Sequence, residues 1–233
     1  WLDIAPDSPE AHRVALDTFM DSGNVLEALN HGSWLYQHRD DLDAFIFVST
    51  APLESPQLFA LIMDRLTTLS LSDDKMATIK FIQALFYQKH SQTIKAETKV
   101  REFLVHKRQD QRGLLLLAQL LHQQEKKNEA IDVLEEALQD DPSAHKLRLQ
   151  YARFLATESV EEAIVQFNLL QVSDPQDQEV NFLLGLLRLS QNKLDLAIPL
   201  FQQASSTPSL RANAQYHLGT IAERQKRIVD AIN

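Results

Sequence analysis

Six alanines set the frame of this chain: Ala28, Ala96, Ala130, Ala163, Ala197 and Ala231, at steps of 68, 34, 33, 34 and 34 residues. Each opens an apolar stripe that follows an earlier one. In residues 114–142, Leu114, Leu117, Ala118 and Leu121 fall at i, i+3, i+4 and i+7 and share one helix face. A polar stretch follows, then a second stripe of Ala130, Ile131, Leu134, Ala137 and Leu138. Pro142 ends the pattern, because proline lacks an N–H and clashes with the preceding turn. This is one helical hairpin, and its regular return predicts an array of hairpins. Gly185 and Gly219, also 34 residues apart, take the place of Ala118 in the first helix. The expectation is that the two helices of a hairpin approach so closely there that only Ala or Gly fits.

Taken in order, residues 1–6 have the phase of the end of a preceding repeat, with Pro6, Pro142 and Pro175 as equivalent closing prolines. Residues 9–40 read as a regular repeat with Gly23-Asn24 at its turn. Residues 41–72 read as a degenerate one. There a short apolar helix from Leu42 to Ser49 is interrupted by Pro52 and Pro56. Ser55-Pro56 then supplies an N-cap and a proline at the first helical position. The helix that follows should run through Phe59, Ile62, Met63 and Leu66, with Ile62 where alanine is expected. Residues 73–233 read as more regular repeats, beginning with helices over 73–89 and 93–107 that place Ala84 and Ala96 at the small positions. Ser159-Val160-Glu161-Glu162 has the form of a capping box. Pro199 lies about one turn into a helix expected near Asp195, which should start late or bend there. Ala231 falls one turn into a second helix, so the last repeat is expected to be truncated and residues 1–233 to be one continuous array cut from a longer protein.

These features together resemble the tetratricopeptide-repeat family. The residues that carry the resemblance are Leu184-Gly185, Leu218-Gly219, Ala197 with Phe201 and Ala163 with Phe167. The family's tryptophan position holds His12, Leu114, Arg148, Asn181 and Gln215 instead. The resemblance implies an all-α, right-handed superhelix, an α–α solenoid of about six to seven hairpins. It also implies a concave groove lined by the first helix of each hairpin. Carried over by register, the groove residues are Arg112, Leu115, Gln119 and His122, then Lys146, Leu149, Arg153 and Ala156. The next repeats supply Glu179, Phe182, Leu186 and Leu189, then Asn213, Tyr216, Thr220 and Glu223. The peptide-binding candidates are Arg112, Leu115, Gln119, Lys146, Leu149, Arg153, Phe182, Leu186 and Tyr216. Leu115, Leu149 and Phe182 equally suit packing between neighbouring repeats. The carboxylate clamp of chaperone-binding members is not expected, since its places hold Leu115, Gln119, Gln150, Glu179 and Leu183.

Composition narrows the chemistry. A net charge of −9 argues against a nucleic-acid binder, which relies on clustered Lys and Arg. The charge is uneven: residues 61–108 hold nine bases against five acids, a net of +4 in an acidic chain. This basic island, with Lys75, Lys80, Lys89, Lys95, Lys99 and Arg101, reads first as a solvated helix face and second as a docking patch for an acidic partner. No apolar run approaches the length of a membrane span. There is no cysteine, so no disulfide and no Cys-type zinc site. The five glycines are isolated, which excludes a phosphate loop. Ser33 in His31-Gly32-Ser33-Trp34 lacks the second glycine of a hydrolase elbow. The histidines show no metal-ligand spacing, and His122, His145 and His217 read as partly exposed helix residues. No enzyme, cofactor or metal site is expected. The expected role is a scaffold that binds a protein or peptide, in general character similar to the adaptor repeat lipoproteins of bacterial envelopes. The alternatives are a self-associating structural module and a regulatory segment attached to an enzyme.

Overall fold

The computed structural model describes residues 6–53, 55–69 and 72–232, the side chains of residues 73, 74 and 227–232 excepted. Of the end of a preceding repeat expected over residues 1–6, residues 1–5 lie outside them. Among the described residues there are thirteen helices and no strand. The first seven are α1 (Pro9–Asp21), α2 (Val25–Arg39), α3 (Leu42–Val48), α4 (Pro56–Thr68), α5 (Asp73–Lys89), α6 (Thr93–His106) and α7 (Gln111–Gln123). The remainder are α8 (Lys127–Asp140), α9 (His145–Glu158), α10 (Val160–Ser173), α11 (Gln178–Ser190), α12 (Leu194–Ala204) and α13 (Pro208–Ile232). They gather into two compact units, Trp1–Lys126 and Lys127–Asn233. Within the units, α1 packs on α2, α5 on α6, α9 on α10 and α11 on α12, and each second helix also packs on the first helix that follows it. The short helix α3 packs mainly on α2, and α4 leans on α5 with Ile62 and Leu66 fully buried.

Helix starts follow the side-chain acceptors in the sequence. Ser8, Asn24, Asp41, Ser55, Asp110, Ser159 and Asp177 each accept a backbone N–H of the first turn. Such a cap contributes about 1 kcal/mol. The turns have their own rule. A residue with positive φ stands five places before the small alanine in four hairpins: Gly23, Ser91, Glu125 and Asn192, with φ of 74°, 57°, 61° and 57°. One left-handed residue reverses the chain, and a non-glycine there costs about 1–2 kcal/mol. The hairpin of α9 and α10 dispenses with it. Ser159 closes α9 by donating its N–H to Leu155 O (2.7 Å) and opens α10 by accepting from Glu162 N (3.5 Å). Only half of the expected capping box therefore forms, because the serine N–H that Glu162 would bind is already committed.

Two further expectations are corrected. Helix α12 begins at Leu194 and carries Pro199 inside it, so of the two outcomes expected at this proline, a late start or a bend, the late start does not occur. The proline leaves the carbonyl four residues earlier without its usual donor. Helix α13 runs unbroken from Pro208 to Ile232, with no turn near Lys226. Lys226 occupies the place of Glu125 and Asn192, but the stretch Ala222, Glu223, Arg224, Gln225 and Lys226 consists of strong helix formers and holds no breaker.

The small positions hold. Ala28, Ala96, Ala130, Ala163 and Ala197 are fully buried, as are Phe167 and Phe201. A Cβ on Gly185 would meet Phe201 Cε1 at 3.0 Å, whereas one on Gly219 would meet nothing within 4 Å. The close approach expected at Gly219 is absent, because α13 continues straight where a partner helix would return.

A polar device replaces the family's tryptophan. His12 Nε2 donates to Pro6 O (2.8 Å), Arg148 Nη2 to Pro142 O (2.7 Å) and Asn181 Nδ2 to Pro175 O (3.2 Å). Each donor reaches the carbonyl of a proline six residues back, and Pro142 and Pro175 follow the second helices α8 and α10. Each is also held from a second side: His12 by His31, Arg148 by Gln166, Asn181 by Gln171. Leu114 makes no such bond, since its side chain has no donor.

The His12–His31 pair has a consequence for pH. Pro6 O only accepts, so His12 Nε2 carries the hydrogen and His12 Nδ1 accepts from His31 Nδ1 at 2.8 Å. Trp34 stacks on His12 at 3.7 Å and Phe19 on His31 at 5.5 Å. Burial, and then the neighbouring His12, push the His31 imidazole below its ordinary value, while Glu27 pulls it up.

Three outcomes are expected. Gly185→Val should destabilise the protein by about 1–3 kcal/mol in urea unfolding, while Gly219→Ala should stabilise it by up to about 1 kcal/mol. Asn181→Leu leaves Gln171 and the Pro175 carbonyl without their partner and should cost about 1–3 kcal/mol, read as a lower urea midpoint at unchanged slope. The lowered His31 value means that the unfolded chain binds the proton first. Stability is then complete above the ordinary imidazole value of 6.5 and falls as pH drops below it. The urea midpoint followed from neutral pH downward should show this fall. His31→Phe should flatten it in part, because His217, lowered by burial, contributes with the same sign.

Candidate functional site

Six of the nine expected binding residues lie in the second unit, on the first helices of successive hairpins. Asp177 sets this face at the start of α11. Its carboxylate accepts from Glu179 N and Val180 N and is met by His145 Nε2 at 3.1 Å, which ties α11 to α9. Lys146 is exposed and makes no ion pair among the described residues, and Leu149 is half-buried. Arg153 pairs with Glu179 one repeat further on. The guanidinium and carboxylate are both substantially exposed, so this pair contributes about 1 kcal/mol or less. Its larger effect is to neutralise the centre of the face.

Phe182 and Leu186 form the floor. The Phe182 ring stands 5.7 Å from Phe201 and 5.9 Å from His217, joining α11 to α12 and α13. Leu186 packs with it against Phe201, Ala214 and Ile221. Of the two uses open to Phe182 in the sequence, the structure therefore displays packing between repeats. Tyr216 is different: 71% of it is exposed, with only its neighbour His217 edge-on at 5.3 Å. Among the expected residues of these helices, Tyr216 thus projects, Lys146 is exposed, and Phe182 and Leu186 pack against the core.

The other three residues belong to the first unit. Arg112 is held by its own helix cap, Asp110, at 2.9 Å, and this bond raises the guanidinium further. Burial pushes the Asp110 carboxyl up, but Arg112 and the N–H groups of Gly113 and Arg112 outweigh it and keep it ionised. Leu115 is half-buried and Gln119 exposed on the same helix.

The basic island is largely spoken for. Lys75 Nζ reaches the carbonyls of Tyr36 (3.0 Å) and Gln37 (2.8 Å) at the end of α2, and Asp40 at 2.5 Å. Positive charge at a helix C-terminus is favourable there. Lys99 and Lys80 share Glu102, Arg101 holds Glu97, and Lys95 lies over the Tyr87 ring. Ser33 is buried and donates to Asn30 O at 2.9 Å within its own helix. No group of three or more metal-ligating residues occurs among the described residues. None of the described helices is long and apolar enough to cross a membrane.

Family models of the tetratricopeptide repeat match residues 112–154 and 182–232. No curated protein matches the sequence. Among solved structures, MamA from Desulfovibrio magneticus RS-1 is 18% identical with a TM-score of 0.58, over 67% of this chain and 88% of that one. YrrB, described as a TPR protein with an unusual peptide-binding site, is 16% identical with a TM-score of 0.54, over 91% of this chain and 100% of that one. Identities this low speak to the fold alone. The matched repeats, the 34-residue register and the buried small positions together show that this all-α chain carries tetratricopeptide repeats.

Proposed function

We propose that the chain is a non-catalytic interaction scaffold, binding a protein or peptide along the first-helix face of its second unit. The observation that carries this reading is the contrast within that face. Phe182 and Leu186 are fixed by packing against Phe201, while Tyr216 and Lys146 stand out from the surface. A packed apolar surface with a projecting aromatic on α13, and an exposed ammonium two first helices away on α9, suits an extended ligand that offers an apolar side chain and, further along, a carboxylate. Arg153 plays a smaller part than its register position suggests, since Glu179 already satisfies it. The peptide-binding site named for YrrB supports the reading by analogy of fold.

The test is a peptide selected from a random library against the intact chain, with its affinity measured by calorimetry. Tyr216→Ala and Lys146→Glu should each weaken binding about tenfold or more, with unchanged circular dichroism. Gln203→Ala, an exposed change on α12, should leave it alone. Equal affinity for all four proteins would remove the ligand from this face.

A further inference from the structure

Two surfaces outside the proposed groove are apolar at the centre and opposite in charge around it. The first is on α10. Val165, Leu169 and Val172 fall at i, i+4 and i+7 and are 55%, 48% and 82% exposed. The core does not need them, because α10 already buries Ala163, Ile164, Phe167 and Leu170. Residues 160–174 carry Glu161, Glu162 and Asp174 and no Lys or Arg. A stripe of three exposed aliphatics on one helix is a feature of surfaces that meet another protein.

The second is a cleft of about 530 Å³ between α5 and α6, lined by Met76, Ala77, Lys80, Glu102, Val105 and His106. Its apolar wall reaches the surface, where Val105 is 68% exposed. It lies within the basic island of nine bases and five acids. Lys99 at 2.8 Å and Lys80 at 3.5 Å both lean on the Glu102 carboxylate, so two ammonium groups face one acid and a positive charge is left over. Burial pushes the Glu102 carboxyl up, but the two lysines hold it below its ordinary value.

We infer that a second copy of this chain is the occupant: α10 of one copy lays Val165, Leu169 and Val172 into the α5–α6 cleft of another. An amphipathic helix in an apolar groove is a recurrent mode of recognition, and here the acids of α10 meet the positive charge left over where Lys80 and Lys99 share Glu102. The same chain carries both halves, so the contact is heterologous, joining unlike patches on the two copies. It uses neither Tyr216 nor Lys146 and stands independently of the groove reading.

Sedimentation velocity over a concentration series reaching the millimolar range tests it. The unmodified chain should gain mass with concentration, and added salt should oppose the gain. Val172→Asp and Val105→Asp alter exposed residues, and circular dichroism with urea unfolding would check that both remain folded. Each variant alone should stay monomeric. Mixed in equal amounts they should form a one-to-one complex, because each retains the face that the other lacks. Glu161→Lys with Glu162→Lys should abolish association as Val172→Asp does. A chain that is monomeric throughout would overturn the inference, as would association indifferent to these changes or a mixture that stays monomeric. Loss with Val172→Asp but not with Val105→Asp would also overturn it, pointing to α10 meeting α10 or another surface.

Discussion

Two helices that cross over an alanine come near enough for their backbones to fix each other's spacing, and this contact underlies everything else in the chain. Ala28, Ala96, Ala130, Ala163 and Ala197 are all fully buried at it. A larger side chain there would lever the hairpin apart, since packed interiors accommodate added volume poorly. With the spacing fixed, the aromatic four residues later has one place to go, and Phe167 and Phe201 fill it completely. Phe201 then serves as the anvil for Gly185, Phe182 and His217. The floor of the proposed binding face is thus a consequence of the hairpin contact one layer below it.

Electrostatics divides the surface by use. Many exposed charges are satisfied between neighbouring elements: Arg13 with Asp41, Lys75 with the end of α2, Arg153 with Glu179 and Lys127 with Glu158. Individually such pairs contribute little, but they take charges out of play for recognition. Lys146 is left available on the first-helix face, and the acids of α10 surround its apolar stripe. A face is defined here as much by which charges remain unclaimed as by which residues it displays.

The periodicity made the helices legible almost to the residue, as for Asp73–Lys89, because apolar spacing, caps and prolines are local signals. Ser55 capping a helix led by Pro56 was readable for the same reason. What escaped was set by residues distant in sequence or by what a helix does in the absence of a partner. The register expected a turn near Lys226, yet a run of helix-forming residues carries α13 through it. Register also assigned Phe182 and Tyr216 to one groove and left packing and binding equally open for Phe182. The packing of Phe182 rests on Phe201, which the alanine-to-aromatic spacing names, and on His217, which it does not. The stripe of Val165, Leu169 and Val172 on α10 has the same helical spacing as a buried face, and only its exposure in the fold tells the two apart.

The bonds from His12, Arg148 and Asn181 to the carbonyls of Pro6, Pro142 and Pro175 give these joints an unusual thermal character. A joint closed by a tryptophan draws its strength from apolar surface removed from water, a contribution that fades on cooling and carries a large heat capacity. A joint closed by a directed hydrogen bond removes less such surface, so opening it changes the heat capacity less. Its strength is correspondingly flatter with temperature. In the cold, then, the connections between hairpins should outlast the packing inside them, and the chain should loosen from the centre of its repeats rather than come apart at the seams.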